Sequence, residues 1–439
     1  MEKSMMKLGA LMVLGALTGF GAEKGIRIEG RVNCPVIAHH GGTVYLQMAI
    51  TVPRTEAHRR EPMNLAVVLD RSGSMADEGK IEYAKKAVIA LIDQLREDDL
   101  FSLVIYDDVI TVLREARSVG SKRELRRLLD DVSPRGATNL GGGLVEGLRQ
   151  AERHRGKEYV NRVILLSDGL ANRGTTDSYE LRRIAQRYRS RSISITTMGV
   201  GLEYNENLMM GLAESGGGNY YFVESPGSLA SIFRKELEGF GSVVAQNASI
   251  ELTLARGVRV HDIIGCEHSR NSGSVNVPVG DLYSGEHREI TVELEVPPGS
   301  GRLDIAKGVL HYDGPRGWFE SWPSFTASIR YTRDFAEIDK NRDGETQAKV
   351  DVALSTRTVE KALRALDEGR KGEAVMEVKA AQASLSRSIS SYSAAGAASV
   401  ILEQRKALER FEALLNDSAD SRRAKKAIQF ENYRTQKRK

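Results

Sequence analysis

Residues 65–74 read Leu-Ala-Val-Val-Leu-Asp-Arg-Ser-Gly-Ser, an uninterrupted apolar run that stops at a carboxylate and passes into a short polar loop. Such a run is typical of a strand that is buried on both faces of a parallel sheet. Residues 79–96 then carry apolar side chains at spacings of three and four, which predicts an amphipathic helix. The segment therefore predicts the first strand and helix of a doubly wound sheet.

Oxygen-bearing side chains occupy alternate positions where this strand ends, at Asp70, Ser72 and Ser74. Ligands of open α/β sheets bind at the carboxyl ends of the strands. Mg2+ prefers oxygen ligands, keeps several waters and takes only one or two carboxylates. The three residues therefore predict a cation site, and the alternative is that they merely cap the following helix.

Two later stretches place further oxygen atoms at the ends of predicted elements. Thr138 lies in a glycine-flanked loop just before a helical run, and Asp168 follows the buried strand at residues 163–167. A magnesium-dependent phosphatase would need a second carboxylate where this chain has Ser72. Ser72 as a hydrolase nucleophile would lack both the Gly-x-Ser-x-Gly turn and a nearby histidine.

The spacing of these residues matches a known site. Asp-x-Ser-x-Ser, a threonine about 65 residues later and a strand-terminal Asp-Gly about 30 residues beyond resemble the metal-ion-dependent adhesion site of the von Willebrand factor type A domain, here over residues 61–240. The resemblance implies ligation by hydroxyl groups, with two aspartates that often act through water. The expected metal-site residues are Asp70, Ser72, Ser74, Thr138 and Asp168. The favoured ion is Mg2+, with Mn2+ and Ca2+ as alternatives.

The resemblance also implies how such a site works. With two carboxylates near it, the ion retains positive charge and an open position, which an Asp or Glu carboxylate of a protein partner completes. Arg71 departs from the family, in which a smaller or neutral residue is common at that position. It either steers an acidic partner, competes for the metal's carboxylates or faces solvent.

Strand and helix patterns alternate through this central domain. Predicted strands span residues 64–69, 100–106, 109–113, 162–167, 192–199 and 219–223, and predicted helices span residues 79–96, 121–131, 140–153, 178–190, 205–214 and 227–238. Only Asp107 and Asp108 separate the second and third strands, which predicts a hairpin and one antiparallel edge strand. The predicted fold class is α/β, with a doubly wound, mostly parallel, Rossmann-like sheet.

Alternating apolar and polar residues flank the central domain on both sides. They predict strands within residues 23–60 and residues 241–335, which would join in one β-sandwich that carries the central domain as an insertion. This order resembles bacterial secreted proteins related to inter-alpha-trypsin inhibitor heavy chains and to calcium-activated chloride channel homologues, a name that implies no pore here.

A linker at residues 336–345 and a helical segment at residues 346–439 complete the chain. The linker begins like an EF-hand loop at Asp339, but Val350 stands where a bidentate Glu is needed, which favours a solvated turn.

The last residues hold much of the positive charge. Residues 422–439 contain eight Lys or Arg and one Glu, whereas the whole chain has a net charge of +4. This basic tail predicts either a solvated, frayed helix or contact with an anionic membrane surface or an acidic partner. A nucleic-acid partner is not expected, because only Phe430 and Tyr433 interleave with the basic residues.

The first residues predict location. A basic start, a short apolar core at residues 8–17 and small residues after it are typical of a secretory signal peptide, here residues 1–22. The chain is therefore predicted to be exported to the periplasm or the cell exterior, with an uncleaved signal as an alternative anchor. Cys34 and Cys266 either form a disulfide or remain separate thiols.

An enzyme would need a general base near the ion. Seven of the eight histidines lie outside the central domain, and His154 follows a helix away from the binding edge. Asp77 and Glu78 remain as base candidates, although both suit the first turn of a helix. The favoured function is a non-enzymatic, adhesion-like protein-binding module. The alternatives are an envelope scaffold or assembly subunit with a structural metal site and, less favoured, a metal-dependent hydrolase.

Overall fold

The computed structural model describes residues 25–54, 61–156, 158–240, 242–266, 268–271, 273–314, 322–391, 395–417 and 421–437. The strands are β1 (Arg27–Val32), β2 (Val36–Ala38), β3 (Gly42–Thr51), β4 (Met63–Asp70), β5 (Leu100–Tyr106), β6 (Ile110–Ser118), β7 (Val160–Ser167), β8 (Ile193–Val200), β9 (Gly217–Val223), β10 (Val243–Leu254), β11 (Arg259–Ile263), β12 (Ser269–Asn271), β13 (Ser274–Tyr283), β14 (His287–Val296), β15 (Arg302–Asp313) and β16 (Ser324–Thr332). The helices are α1 (Lys80–Gln94), α2 (Lys122–Arg127), α3 (Leu140–Arg153), α4 (Ser178–Arg189), α5 (Glu206–Gly216), α6 (Leu229–Phe240), α7 (Phe335–Lys340), α8 (Gly344–Asp367), α9 (Lys371–Ser391), α10 (Ala395–Asn416) and α11 (Ser421–Lys437), with a 3-10 segment at Gly73–Gly79.

The central domain is built on a six-stranded sheet in the order β6-β5-β4-β7-β8-β9. Its strands are parallel except for β6, which forms the predicted antiparallel hairpin with β5 at one edge. Every residue of β4, β5, β7 and β8 is buried. Helices α1, α2 and α6 pack on one face, and α3, α4 and α5 pack on the other. The structure therefore confirms the doubly wound α/β fold class.

Two further sheets enclose a second core. One has the order β1-β3-β14-β11, and the other has the order β12-β13-β10-β15-β16-β2. Each combines strands from both sides of the central domain, because β3 pairs with β14 and β2 pairs with β16. The apolar side chains of both sheets share one cluster. The central domain is thus an insertion in a β-sandwich.

A buried ion pair joins the central domain to the sandwich. Arg162 of β7 is fully buried and donates to Asp281 of β13, which is 3% exposed. Asp281 also accepts hydrogen bonds from Ser194 Oγ at 3.2 Å and from the backbone N–H of Asn247 at 3.0 Å. A charged group that is buried away from water is stable only with an opposite charge and hydrogen-bond partners. This network therefore fixes the amino-terminal edge of the central sheet against the sandwich.

The predicted linker at residues 336–345 contains a helix, α7, rather than extended chain alone. Asp343, inside the EF-hand-like stretch, caps α8 by accepting from the N–H of Thr346 at 3.0 Å and from its hydroxyl at 2.8 Å. Its own N–H donates to the carbonyl of Asn33. The carboxylate of Asp343 therefore serves as a helix cap, as Asp commonly does.

The basic tail forms helix α11 and packs against the chain itself. Its apolar face meets β9, where Tyr220 contacts both Phe430 and Tyr433 edge to face. Its charged residues pair with acidic residues of the same chain; the pairs are Arg422 with Glu203, Arg423 with Glu224, Lys425 with Glu206 and Asp367, and Lys426 with Glu206. The interpretation of the tail as a solvated, frayed helix is wrong, because these contacts bury its apolar face. The acidic groups that pair with it belong to this chain.

Both cysteines are free thiols. Burial raises the pKa of the Cys34 thiol and of the Cys266 thiol. The predicted signal peptide, residues 1–22, lies outside the described residues. Within the described part of the chain, no helix is long and apolar enough to cross a membrane.

Candidate metal site at the strand ends

Asp70 lies at the end of β4 and is fully buried. Its Oδ1 accepts from the N–H of Ser72 at 2.8 Å, and its Oδ2 accepts from Ser167 Oγ at 2.7 Å and from the Tyr106 hydroxyl at 3.1 Å. Burial raises the pKa of Asp70 to about 6, although the hydrogen bonds from Ser167 and Ser72 act in the opposite direction. Neighbouring strands therefore hold this carboxylate in one orientation.

The two serines extend from Asp70 towards the second aspartate. Ser72 Oγ lies 3.2 Å from Ser74 Oγ, and Ser74 Oγ donates to Asp168 Oδ1 at 2.8 Å. Asp168 directly follows β7, the strand next to β4, and is fully buried. The adjacent strand ends thus bring two hydroxyls and two carboxylates together.

Thr138 reaches the same point from the loop before α3. Its N–H donates to Asn172 Oδ1 at 2.9 Å, and its carbonyl accepts from the N–H groups of Asn172 and Arg173. A Cβ on Gly169 would lie 3.0 Å from Thr138 Oγ1 and 3.5 Å from Ser74 Oγ. Because glycine has no Cβ, the two hydroxyls share the space beside residue 169.

The structure therefore brings all five predicted residues to one edge, and their ligation of a metal stays a prediction. The donors are all oxygen atoms, three hydroxyls and two carboxylates, which suit Mg2+. Across the part of the chain that the structure describes, no group of three or more His, Cys, Asp or Glu is arranged to hold a metal ion. A cation at this edge would therefore depend on the hydroxyl groups.

Lys80 is a site residue that the sequence reasoning missed. Its Nζ lies 2.8 Å from Asp168 Oδ2, and the side chain is only 6% exposed. Oδ2 of Asp168 thus pairs with the ammonium group of Lys80, and Oδ1 accepts a hydrogen bond from Ser74. The sequence did contain a hint of this pairing. Lys80 begins α1, and a positive charge at a helix N-terminus is unfavourable unless an acidic group pairs with it.

Arg71 is buried and pairs with a carboxylate outside the predicted metal set. Its Nη2 lies 2.9 Å from Asp107 Oδ2, and Arg135 Nε lies 2.7 Å from the same oxygen. Burial alone would raise the pKa of Asp107, but hydrogen bonds from Arg135 and from the N–H of Val109, together with the charge of Arg71, more than offset it, so the pKa is lowered. The guanidinium of Arg71 is therefore shielded from solvent and pairs with Asp107, which is not one of the five predicted metal-site residues.

Of the base candidates, Asp77 and Glu78 are exposed, and the histidine of this domain, His154, lies at the far end of α3. Asp77 and Glu78 are exposed in the 3-10 segment, whereas a catalytic carboxylate is usually buried so that its pKa approaches neutrality. His154 is the C-cap of α3, a 14-residue helix whose N-cap, Asn139, adjoins Thr138. The helix length separates His154 from the site by about 20 Å.

A sequence profile of the von Willebrand factor type A domain matches residues 64–235. Two solved structures share the fold over 94% of this chain. One is a von Willebrand factor type A protein from Catenulispora acidiphila, with a TM-score of 0.72, 17% sequence identity and 97% of that chain covered. The other is the ArnB paralog VWA2 from Sulfolobus acidocaldarius, with a TM-score of 0.63, 18% sequence identity and 99% of that chain covered. This protein therefore contains a von Willebrand factor type A domain, as the strand-end motif predicted.

Sequence relatives match part of this chain. An uncharacterized protein of Synechocystis sp. is 28% identical over 62% of this chain and 66% of its own length. The E3 ubiquitin-protein ligase WAV3 of Arabidopsis thaliana is 29% identical over 63% of this chain and 35% of its own length. Inter-alpha-trypsin inhibitor heavy chain H3 of Mesocricetus auratus is 25% identical over 42% of this chain and 21% of its own length. The match spans less than two thirds of the length of each of these relatives.

Proposed function

We propose that this protein is a metal-ion-dependent protein-binding module that captures an Asp or Glu carboxylate of its partner at the strand ends of the type A domain. Domains of this type generally mediate protein–protein interaction. The observation that carries the proposal is the convergence of five oxygen donors, Asp70, Ser72, Ser74, Thr138 and Asp168, at one edge.

The charge at this edge favours an anionic partner group. Asp70 and Asp168 contribute −2, Lys80 contributes +1, and Mg2+ would contribute +2, which leaves +1 at the site. A bound Mg2+ would supply an electrophilic position for an oxygen ligand. Both carboxylates already have partners within the chain. Ser167 and Tyr106 donate hydrogen bonds to Asp70, and Lys80 donates to Asp168.

We further propose that the module acts after export, in the periplasm or outside the cell. The support is the signal-like composition of residues 1–22. A non-enzymatic role is supported by the exposure of Asp77 and Glu78 and by the distance of His154 from the edge.

A scaffold with a structural metal is the second candidate, and one observation favours it. The C-terminal helices contact both other parts of the chain: α11 packs on β9 of the central sheet, and Arg357 of α8 pairs with Asp262 and Glu293 of the sandwich. Such contacts suit a rigid assembly subunit. The two candidates differ in whether the metal is open to a carboxylate.

Water proton relaxation with Mn2+ and acetate as probes distinguishes the two candidates. If a bound Mn2+ keeps an open position, exchanging water enhances relaxation, and acetate titration lowers the enhancement to a plateau. A structural metal gives little enhancement and no response to acetate. Thr138→Ala should weaken Mn2+ binding, whereas Thr326→Ala, an exposed threonine of β16, serves as the control and should change nothing. Failure to bind Mn2+ in the unmodified chain would overturn both candidates.

A further inference from the structure

The loops around the predicted metal site are cross-linked by their own backbone. The N–H of Gly73 donates to the carbonyl of Gly136 at 3.1 Å, and the N–H of Arg135 donates to the carbonyl of Arg71 at 2.8 Å. Asp108 Oδ2 accepts from the N–H of Ala137 at 3.1 Å. The loops after β4 and β5 and the loop before α3 therefore form one preorganised surface beside Thr138.

Two exposed arginines lie beside Thr138: Arg135 on the loop before α3, and Arg173, whose N–H donates to the carbonyl of Thr138 at 3.3 Å, on the loop after β7. Arg135 is 60% exposed and shares Asp107 with Arg71, so these three groups carry a net charge of +1. Arg173 is 68% exposed, and its Nε lies 3.7 Å from Asp108 Oδ1, beyond hydrogen-bond distance. Both guanidinium groups thus retain donors that face water and can bind a planar anion.

Apolar side chains are exposed on the loops after β5 and β7. Val109 and Leu170 are each 56% exposed. Val109 follows Asp108, which contacts Ala137, and Leu170 follows Gly169, which adjoins Thr138. Across the described residues, four of the eight exposed large apolar side chains lie in loops that follow strands of the central sheet or in the first turns of the helices after those loops: Tyr83, Val109, Leu170 and Tyr179. Apolar side chains exposed at this edge supply contact area for a partner.

We propose that this surface recognises an extended acidic protein segment, in which one carboxylate reaches the metal, a second is held by Arg135 and Arg173, and an apolar side chain packs on Val109 and Leu170. This inference rests on the proposed function. The apolar contacts favour a peptide over a phosphate or a sugar acid, which carries little apolar surface. The second carboxylate makes the arginines specificity determinants rather than metal ligands.

The test uses synthetic heptapeptides on a Gly-Ser background, immobilised and exposed to the full chain in Mg2+ or in EDTA. One peptide has no acid, one has a single Asp, and a series adds Glu one to four residues from that Asp, which spans about 3–13 Å in an extended chain. A last peptide adds Leu to the best of the series. The variant is Arg135→Gln/Arg173→Gln, and its control is Arg149→Gln, a 66% exposed arginine of α3.

We expect the second acid to tighten Mg2+-dependent binding by about two- to fivefold at one spacing, as is typical of exposed charge pairs. The double Gln variant should lose that gain while keeping Mg2+ affinity, and Arg149→Gln should keep both. The charge-preserving variant Arg135→Lys/Arg173→Lys should retain part of the gain. The gain must be absent in EDTA.

Two failures are distinguishable. Binding that depends on Mg2+ but shows no gain from a second acid at any spacing, or an equal gain in the double Gln variant, overturns this inference and leaves the proposed function standing. Binding that is equal in Mg2+ and EDTA, or absent for every peptide, overturns both.

Discussion

The buried pair Arg162–Asp281 allows the sharpest prediction about stability. We expect Asp281→Asn to lower the free energy of unfolding by about 3–5 kcal/mol, the usual cost of breaking a buried ion pair from one side. We expect a loss in the upper part of this range, because Arg162 is fully buried and Asp281 also accepts hydrogen bonds from Ser194 and from the N–H of Asn247. An asparagine can replace only part of this set, because its amide nitrogen cannot accept a hydrogen bond.

Urea unfolding followed by circular dichroism measures the effect, and calorimetry reports whether the two domains still unfold together. The matched control is Arg153→Gln, which breaks the exposed pair with Glu115, whose side chain is 69% exposed. Its expected effect is below about 1 kcal/mol. Replacing both buried partners with Arg162→Met/Asp281→Leu should cost at least about 2 kcal/mol less than the sum of the single changes. A loss below about 1 kcal/mol for Asp281→Asn, or additive single changes, would refute the reasoning.

Three further predictions concern the metal site and helix α11. Lys80→Met should raise Mg2+ affinity by about tenfold in calorimetric titration, because it removes a neighbouring positive charge; unchanged or weaker affinity would contradict this. Gly169→Ala should weaken Mg2+ binding with little change in urea midpoint, because its Cβ would lie 3.0 Å from Thr138 Oγ1; unaltered affinity would show that this space is not part of the site. Burial alone would raise the pKa of Glu206, but hydrogen bonds from two lysines of α11 lower it below its ordinary 4.5. The contribution of this carboxylate to docking of α11 is therefore complete above pH 4.5 and is lost as pH falls through the lower folded-state pKa, so hydrogen exchange in α11 should accelerate there relative to α3.

The sequence predicted those features that local pattern encodes. The apolar run before Asp70 placed β4, and the short spacer at Asp107 and Asp108 placed the hairpin with the antiparallel edge strand. The fourth helix of the α/β domain was also clear, since residues 178–190 were predicted and α4 spans Ser178–Arg189. The five candidate residues were expected at one edge because each lies at or beside the end of an element, and parallel strands end at the same edge. Their role as metal ligands came from the family resemblance and stays a prediction.

Contacts between distant segments were not predictable in the same way. Lys80 and Asp168 are 88 positions apart, and no periodicity links them. The basic tail was misjudged because its charge was weighed above its apolar stripe: Phe430 and Tyr433 lie three residues apart and share a helix face that packs near Tyr220. Charge composition describes what a surface attracts, but the stripe shows that the helix has a face to bury.

Calorimetric titration of Mg2+ into the metal-free chain tests the central claim most directly. We expect one saturable site in the unmodified chain, binding that is at least tenfold weaker or lost in Thr138→Ala, and full binding in the control Thr326→Ala. Thr138→Ala suits this test because it removes a hydroxyl without leaving a buried charge unpaired, as Asp168→Ala would do to Lys80. Absence of binding in the unmodified chain, or equal binding by Thr138→Ala, would contradict the assignment of a metal site to these strand ends.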